Sequence, residues 1–462
     1  MTDATAVLND QIAGEVFVSG QAGYDDARAV WNAMIDRKPG VIVKCKNADD
    51  VVRAVSYARN QNLPVSIRGG GHNVAGHAVC DDGVMINLSL MRGVQVDAEN
   101  RRARVEGGAT WGDVDAATQK FGLATPGGLI SDTGVAGLTL SGGIGWLRSA
   151  HGLCIDNMLS VEIVTADGQK LNASESENAD LFWAIRGGGG NFGVITMFEF
   201  ALHPVGPQVM FCAPIYPLEA GAGPIRFWRD FVADKNDKVG SMVEFSTVAE
   251  SDDFPQEYWG KRVYAIMSVY AGDADEGEKL LQPLREQGEL VTDFSGQMDY
   301  CELQGMFDTL IPAGDFRCYW KSHYLSGLSD EVIDMIVQGN AQPPSPNTLS
   351  SIWNFGGATA DVAADATAFG DRSMPYMLSI DSVWSDTVDD DANIDWTRSF
   401  WQRMQAHSHQ GRMYLNFPGQ GEEGEKILED TFGDNYARLR EIKRKYDPDN
   451  CFRFNQNLKP AS

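Results

Sequence analysis

Arg68-Gly69-Gly70-Gly71-His72 places an imidazole directly behind a loop that has no side chains. The run follows Leu63-Pro64-Val65-Ser66-Ile67, so it reads as a strand that empties into a glycine loop. Three consecutive glycines let the backbone turn sharply and let its N–H groups close on something bulky. A histidine at that point is held beside whatever the loop cradles. Taken alone, the same loop also reads as a turn with a backbone-bonded histidine. A second candidate is Cys318-Tyr319-Trp320-Lys321-Ser322-His323. As a strand it puts Tyr319, Lys321 and His323 on one face and Trp320 on the other. A nearby ammonium lowers a phenol's pKa, which makes Tyr319, assisted by Lys321, a candidate base. That face reads equally as a solvated sheet face.

Two further glycine-rich stretches accompany the loop. Thr125 to Trp146 carries seven glycines between positions 127 and 145, too many for a stable isolated helix. Such a segment is expected to pack tightly against a large flat ligand. Ala184-Ile185-Arg186-Gly187-Gly188-Gly189-Gly190-Asn191-Phe192-Gly193 contains a literal G-x-G-x-x-G. The dinucleotide fingerprint needs a strand before it and a helix after it. Here a helix-like Ala179–Arg186 precedes and β-branched Val194-Ile195-Thr196 follows, so the match is a decoy. No His pair shows metal-ligand spacing with carboxylates nearby, and neither G-x-S-x-G nor a phosphate-binding G-x-x-x-x-G-K-[ST] occurs.

The elements that must position these residues fall into two blocks. The chain has 462 residues and a net charge of −26, with no basic stripe to neutralise phosphates, which excludes nucleic acid as a partner. No apolar run reaches membrane-spanning length, and the N-terminus lacks the pattern of a secretory signal. Seven scattered cysteines, never spaced C-x-x-C, point to a reducing compartment, so a cytoplasmic protein with no metal site and no membrane partner is expected. Up to position 205, short strands and helices alternate with the glycine blocks; Asp25–Trp31 reads as a helix, and Asn47-Ala48-Asp49-Asp50 supplies N-cap chemistry for another carrying Val51, Val52, Val55 and Ala58. His203-Pro204-Val205-Gly206-Pro207 is the best domain boundary. Beyond it, apolar strands alternate with helical stretches, an α/β unit with helices covering one sheet face. One long helix is expected over Glu425–Tyr446, ending at Asp447-Pro448.

Arg68–His72, the block 126–145, Phe182–Gly193, Tyr414-Leu415-Asn416 and Tyr446-Asp447-Pro448 followed by Phe454-Asn455-Gln456-Asn457 occur in an order that resembles the FAD-linked oxidases of the berberine bridge enzyme type, in the vanillyl-alcohol-oxidase (PCMH-type) flavoprotein superfamily. The resemblance covers nearly the whole chain. It implies an α+β fold: a PCMH-type two-subdomain FAD-binding domain over residues 1–205 (core about 36–205) and a substrate domain over 206–410. That second domain has a mainly antiparallel sheet covered by helices, and 411–462 returns to the FAD-binding domain.

The resemblance also implies FAD joined to His72 through the flavin 8α-methyl. Arg68, Gly69, Gly70, Gly71, Asn73, Gly76, Ile130, Thr133, Gly134, Gly137, Thr139, Gly142, Gly143, Ile195, Tyr414 and Asn416 are then implied around the cofactor. Some relatives carry a second, cysteinyl tether; Ile130 stands at that cysteine's place, so a single tether is expected and Cys154 is read as a buried small hydrophobe. Thr133 falls where relatives control oxygen access. The implied reaction takes hydride from an alcohol carbon of a small molecule, of sugar or secondary-metabolite type, and passes electrons to dioxygen, giving hydrogen peroxide. A dehydrogenase with another acceptor and a non-catalytic flavin-binding protein are the alternatives. The Y-x-N-Y pattern that supplies a tyrosine base in relatives is Tyr414-Leu415-Asn416-Phe417 here, and Phe417 accepts no proton. Tyr319, Lys321 and Tyr414 are therefore the catalytic candidates.

Overall fold

The computed structural model describes residues 3–234 and 237–462. The glycine loop grows from a four-stranded sheet ordered Glu15–Phe17, Val41–Lys44, Val84–Asn87, Val65–Arg68. Val41–Lys44 and Val65–Arg68 both run parallel to Val84–Asn87, and the helix Ala48–Gln61 makes the crossover. That helix starts where expected: Asn47 accepts the Asp50 N–H at 3.0 Å. Its Val51, Ala54, Val55 and Ala58 pack on Val43, Val65, Val84 and Ile86. Val65–Arg68 is thus an edge strand whose C-terminal end delivers Gly69–His72.

A second, antiparallel sheet is ordered Val94–Asp97, Arg102–Glu106, Val194–Ala201, Met158–Val164, Lys170–Ser174. Helix Ala179–Ile185 precedes the G-x-G-x-x-G and strand Val194–Ala201 follows it, so the dinucleotide reading fails for the reason given above.

From Gln208 to Trp384 the chain forms one antiparallel nine-stranded sheet. Its centre runs Arg262–Tyr270, Val239–Thr247, Leu349–Asn354, Tyr376–Trp384, with Arg317–Leu325 at the edge. Helices Gly223–Asp234, Ala274–Leu281, Asp330–Gly339 and Asp390–Met404 cover one face, meeting Val243, Phe245, Tyr264, Ile352, Leu378 and Ile380. The other face carries Met242, Val269, Tyr324, Trp353 and Met377, packed against Ile144, Trp146, Leu147 and Tyr414 of the glycine-rich and C-terminal segments. The fold is α+β, with the glycine loops and the uncovered sheet face pressed together.

The last fifty residues close this arrangement. Ser326 and Tyr324 pair through backbone bonds with His407, His409 and Arg412, and Gly419 N–H donates to Trp320 O at 2.9 Å, so the edge strand is covered. The expected long helix is two, Glu425–Phe432 and Asn435–Tyr446, because Gly433 takes φ 51° between them. Leu439 and Ile442 of the second pack with Leu181 and Phe182 of the first half. The Tyr446-Asp447-Pro448 motif has a local cause: buried Asp447 accepts from Lys443 Nζ at 2.6 Å and from the N–H groups of Cys451 and Phe452. The N-terminal lead-in also differs from expectation. Its helices are Asp3–Gln11 and Tyr24–Arg28, and Ala29 turns to ψ 137°, which releases Trp31 from the helix.

Candidate active site

His72 sits where three segments meet. Trp31 stacks on its ring at 5.3 Å, and Asp132 Oδ1 lies 2.8 Å from its Nε2. Thr133 Oγ1 lies 3.5 Å from Nδ1. Asn32 fixes the distance to the sheet. Its buried amide bonds Val74 O at 2.7 Å, Cys318 O at 2.8 Å and Cys318 N–H at 3.0 Å, tying the chain just after His72 to the edge strand. Gly71 and Gly76 take φ 83° and 76°, conformations that L side chains rarely adopt.

The loop and the second glycine block meet backbone on backbone: a Cβ on Gly70 would lie 2.4 Å from Gly134 N. The other glycines of that block turn the side where a Cβ would stand toward protein. A Cβ on Gly127 would strike Trp111, one on Gly143 would strike Cys154, one on Gly142 would strike Phe369, and one on Gly145 would strike Gly127 O. Their smallness serves protein packing. Gly137 is the exception, exposed with nothing within 4 Å of its added Cβ. Cys154 lies buried behind Gly143, with its thiol bonded to Pro126 O at 2.9 Å and pushed well up by burial.

These residues fit FAD by their chemistry. Gly69, Gly70, His72, Asn73, Ile130, Thr133 and Gly137 keep solvent access, whereas Val74, Gly134, Val135 and Thr139 around them are buried. The Arg68 guanidinium is desolvated, which lowers its pKa, and its Nε has no partner. Among the described residues no carboxylate pairs with it. A cation left so at the mouth of a glycine loop suits a diphosphate. Thr139 is buried beside the Cys154 thiol. Ile195 is buried with its carbonyl against Gly107. Asn416 Nδ2 donates to Leu138 O at 3.0 Å and to Tyr414 Oη at 2.8 Å; burial pushes the Tyr414 phenol up.

Tyr319, Lys321 and His323 share a face as expected, but it is the helix-covered one. His323 stacks on Trp401 at 4.4 Å, and Lys321 Nζ lies 4.0 Å from the Trp401 ring. Tyr319 Oη and Lys321 Nζ both donate to Glu422, and Arg398 Nε donates to Tyr319 Oη at 2.9 Å and to Glu422 Oε1 at 3.0 Å. The expected lowering of the phenol pKa is overturned. Burial pushes Tyr319 up first, and the Glu422 carboxylate adds to it as the nearest charge, an anion that accepts its hydrogen bond. The Glu422 carboxyl is pushed up by burial, but the bonds from Lys321 and Tyr319 outweigh that and hold it low.

This cluster clamps the loop after Phe417 to the back of the edge strand. Glu422→Gln is expected to leave the buried Lys321 ammonium without its anion and cost roughly 2–4 kcal/mol. Urea unfolding at pH 7 checks it, and an unchanged midpoint would remove the clamp.

Trp320 points the other way, toward His72. It meets Trp31 edge-on at 5.4 Å and Phe417 at 5.6 Å, and Phe417 meets Tyr414 at 4.8 Å. Its cross-strand neighbour is Asp381. Asp381, Ser379, Ser351 and Glu244 line one face across three strands, Ser351 pairing with both Glu244 and Ser379. Glu244, Met267, Trp320 and Asp381 keep solvent access in the middle of a buried sheet face, as do Leu129, Phe307 and Phe417 opposite. Burial pushes the Asp381 carboxyl up to about 7, against a bond from Ser379 Oγ. Glu244 is raised well above the carboxylate range by burial and by Asp381. Two carboxyl groups with raised pKa values beside aromatic rings are general acid–base equipment. Sequence reading missed them, although Met377-Leu378-Ser379-Ile380-Asp381 carries the signal, a polar residue at every second position of an apolar strand.

Residues 39–174 match the FAD binding domain family, and residues 413–459 match the berberine and berberine-like family. The uncharacterized FAD-linked oxidoreductase YgaK of Bacillus subtilis (strain 168) is 30% identical, with 97% of this chain and 98% of that protein aligned. (R)-6-hydroxynicotine oxidase of Paenarthrobacter nicotinovorans is 28% identical over 97% of both chains. The crystal structure of 6-hydroxy-D-nicotine oxidase from Arthrobacter nicotinovorans superposes with a TM-score of 0.85 at 26% identity, covering 97% of this chain and 98% of that one. The chain belongs to the berberine bridge enzyme-like family of FAD-linked oxidoreductases. It is an FAD-binding enzyme, and among the described residues no helix is long and apolar enough to cross a membrane.

Proposed function

We propose that this oxidoreductase is an oxidase that takes hydride from the alcohol carbon of a hydroxylated small molecule, of sugar or secondary-metabolite type, with FAD tethered through His72 and dioxygen as final acceptor. The observation that carries the reading is the pair Asp381 and Glu244 on the sheet face turned toward His72. FAD, when bound, supplies the two-electron acceptor for the substrate hydride. Asp381, ionised above about pH 7, takes the hydroxyl proton, a role Phe417 cannot fill. Glu244 stays protonated and donates a hydrogen bond to a neighbouring substrate oxygen. Trp320, Phe417 and Met267 wall the pocket and keep bulk water from the reacting carbon.

Arg68, Gly69, Gly70, Asn73, Ile130, Thr133, Gly137, Thr139, Tyr414 and Asn416 surround the cofactor in this reading, and Gly71, Gly76, Gly134, Gly142 and Gly143 shape its walls. Tyr319 and Lys321 stand behind the site as positioning residues. Residues 1–205 act as the FAD-binding domain, 206–410 as the substrate domain and 411–462 as the returning segment. The cysteines, all unpaired, agree with a cytoplasmic location.

Acid precipitation and substrate turnover under air test the proposal together. The pellet is expected to stay yellow, with flavin mass on the His72 peptide alone and none in His72→Ala. One hydrogen peroxide is expected per alcohol oxidised. A colourless pellet defeats the tether. Flavin bleached by substrate without peroxide makes the enzyme a dehydrogenase.

A further inference from the structure

We propose that Asp132 is the residue that prepares His72 for covalent attachment, by fixing its tautomer and taking its proton as the bond to the flavin forms. This rests on the tether reading above. Asp132 Oδ1 lies 2.8 Å from His72 Nε2, so the imidazole proton resides on Nε2 and the lone pair on Nδ1. Trp31, stacked at 21° to the ring, and Thr133, whose hydroxyl lies 3.5 Å from Nδ1, hold that orientation. The carboxyl is itself held low by its bond to His72, against the opposing push of burial, so it is ionised and able to accept. Its neighbour Ser131 is anchored from the other domain: Asp308 accepts Ser131 N–H at 2.8 Å and Ser131 Oγ at 2.5 Å. That anchor fixes the backbone from which Asp132 reaches His72.

The step balances as follows. One C–H bond of the flavin 8α-methyl breaks and one bond from Nδ1 to that carbon forms. A neutral imidazole that bonds through Nδ1 must also lose its Nε2 proton, and Asp132 is in place to take it. The electron pair of the broken C–H bond reduces the isoalloxazine, and the two released protons end on the reduced ring. Dioxygen then reoxidises it, with hydrogen peroxide as product. Without Asp132 the imidazole divides between tautomers, and the Nε2 proton loses the one side-chain acceptor that faces it, since Thr133 stands at Nδ1.

The test measures flavin attachment, not turnover. Protein produced without flavin is mixed with FAD under air, and acid-precipitable flavin is followed with time in wild type, Asp132→Asn and Asp132→Glu. Asp132→Asn is expected to attach flavin at least tenfold more slowly while binding FAD that acid releases. Asp132→Glu, which keeps the carboxylate, is expected to stay within a few-fold of wild type. Attachment in Asp132→Asn at the wild-type rate overturns the proposal. So does an Asn variant that binds no FAD at all, since Asp132 would then serve cofactor binding and not bond formation. An unattached flavin in wild type is a different failure: it defeats the tether reading itself and the role of Asp132 with it.

Discussion

Asp381→Asn is expected to slow flavin reduction by substrate about 10²–10⁴-fold, the usual worth of a positioned general base. Asparagine keeps the shape of the side chain, so substrate binding and the flavin spectrum are expected to change little. The wild-type pH profile follows from the same group. A base pushed up to about 7 works only when ionised, so kcat/KM is expected to fall roughly tenfold per pH unit below that value and to level off above it. Stability moves in the opposite sense. The folded Asp381 keeps a proton that the unfolded chain releases near pH 4, so its contribution to stability is full below pH 4 and is lost as pH rises through about 7. At pH 8 the folded protein holds a desolvated carboxylate, and Asp381→Asn is therefore expected to be more stable than wild type by about 1–2 kcal/mol. Stopped-flow bleaching at 450 nm and urea unfolding at pH 8 check both halves. If the variant reduces its flavin at the wild-type rate, the base lies elsewhere on the face, with Glu244 next to be examined.

The position of this base shows where sequence reading reaches its limit. Alternation along Cys318–His323 correctly separates Tyr319 from Trp320, because strand periodicity is local. Which of the two faces meets the helices is not local. It depends on where Asp390–Met404 packs and on Asn32, almost three hundred residues upstream, holding Cys318 against the His72 loop. The phenol and amine therefore went to the clamp with Glu422, and the tryptophan went to the site. Trp31 lies off the expected helix for a related reason: Asp25-Asp26-Ala27-Arg28 favours a helix, but nothing in the local pattern shows that Ala29 leaves it so that Trp31 stacks on His72. The glycine loop, the Asn47 cap and the reversed flanks of the G-x-G-x-x-G were legible because each depends on residues within a turn or two. The break at Gly433 is equally local, but the apolar pattern continues across it and hides it.

Gly134→Ala is expected to abolish flavin binding and to destabilise the chain by about 3 kcal/mol or more, among the largest effects of adding one methyl group. The cause is purely steric. Gly134 has φ −66° and ψ 132°, an ordinary conformation for alanine, so no backbone strain enters. The new Cβ would lie 2.2 Å from Gly70 N and 2.7 Å from Gly70 Cα. Both are backbone atoms, and no rotamer change relieves them. The His72 loop must move away from residues 130–139, which separates Thr133 and Asp132 from the imidazole and opens the wall on which the cofactor rests. Gly137→Ala, three residues on, is the control. It stands inside the helix Val135–Leu140 with nothing within 4 Å of its added Cβ. Alanine there is expected to leave stability unchanged or raise it by about 0.5–1 kcal/mol, the usual gain in a helix interior. On its exposed side, however, the methyl projects into the space assigned to FAD, and flavin loading is expected to fall. Thermal unfolding without added FAD separates the two variants, and flavin absorbance per protein reads the second effect. A Gly134→Ala protein with normal unfolding and full flavin would show that the contact between the two glycine segments carries neither. A fully loaded Gly137→Ala would move the cofactor off that helix.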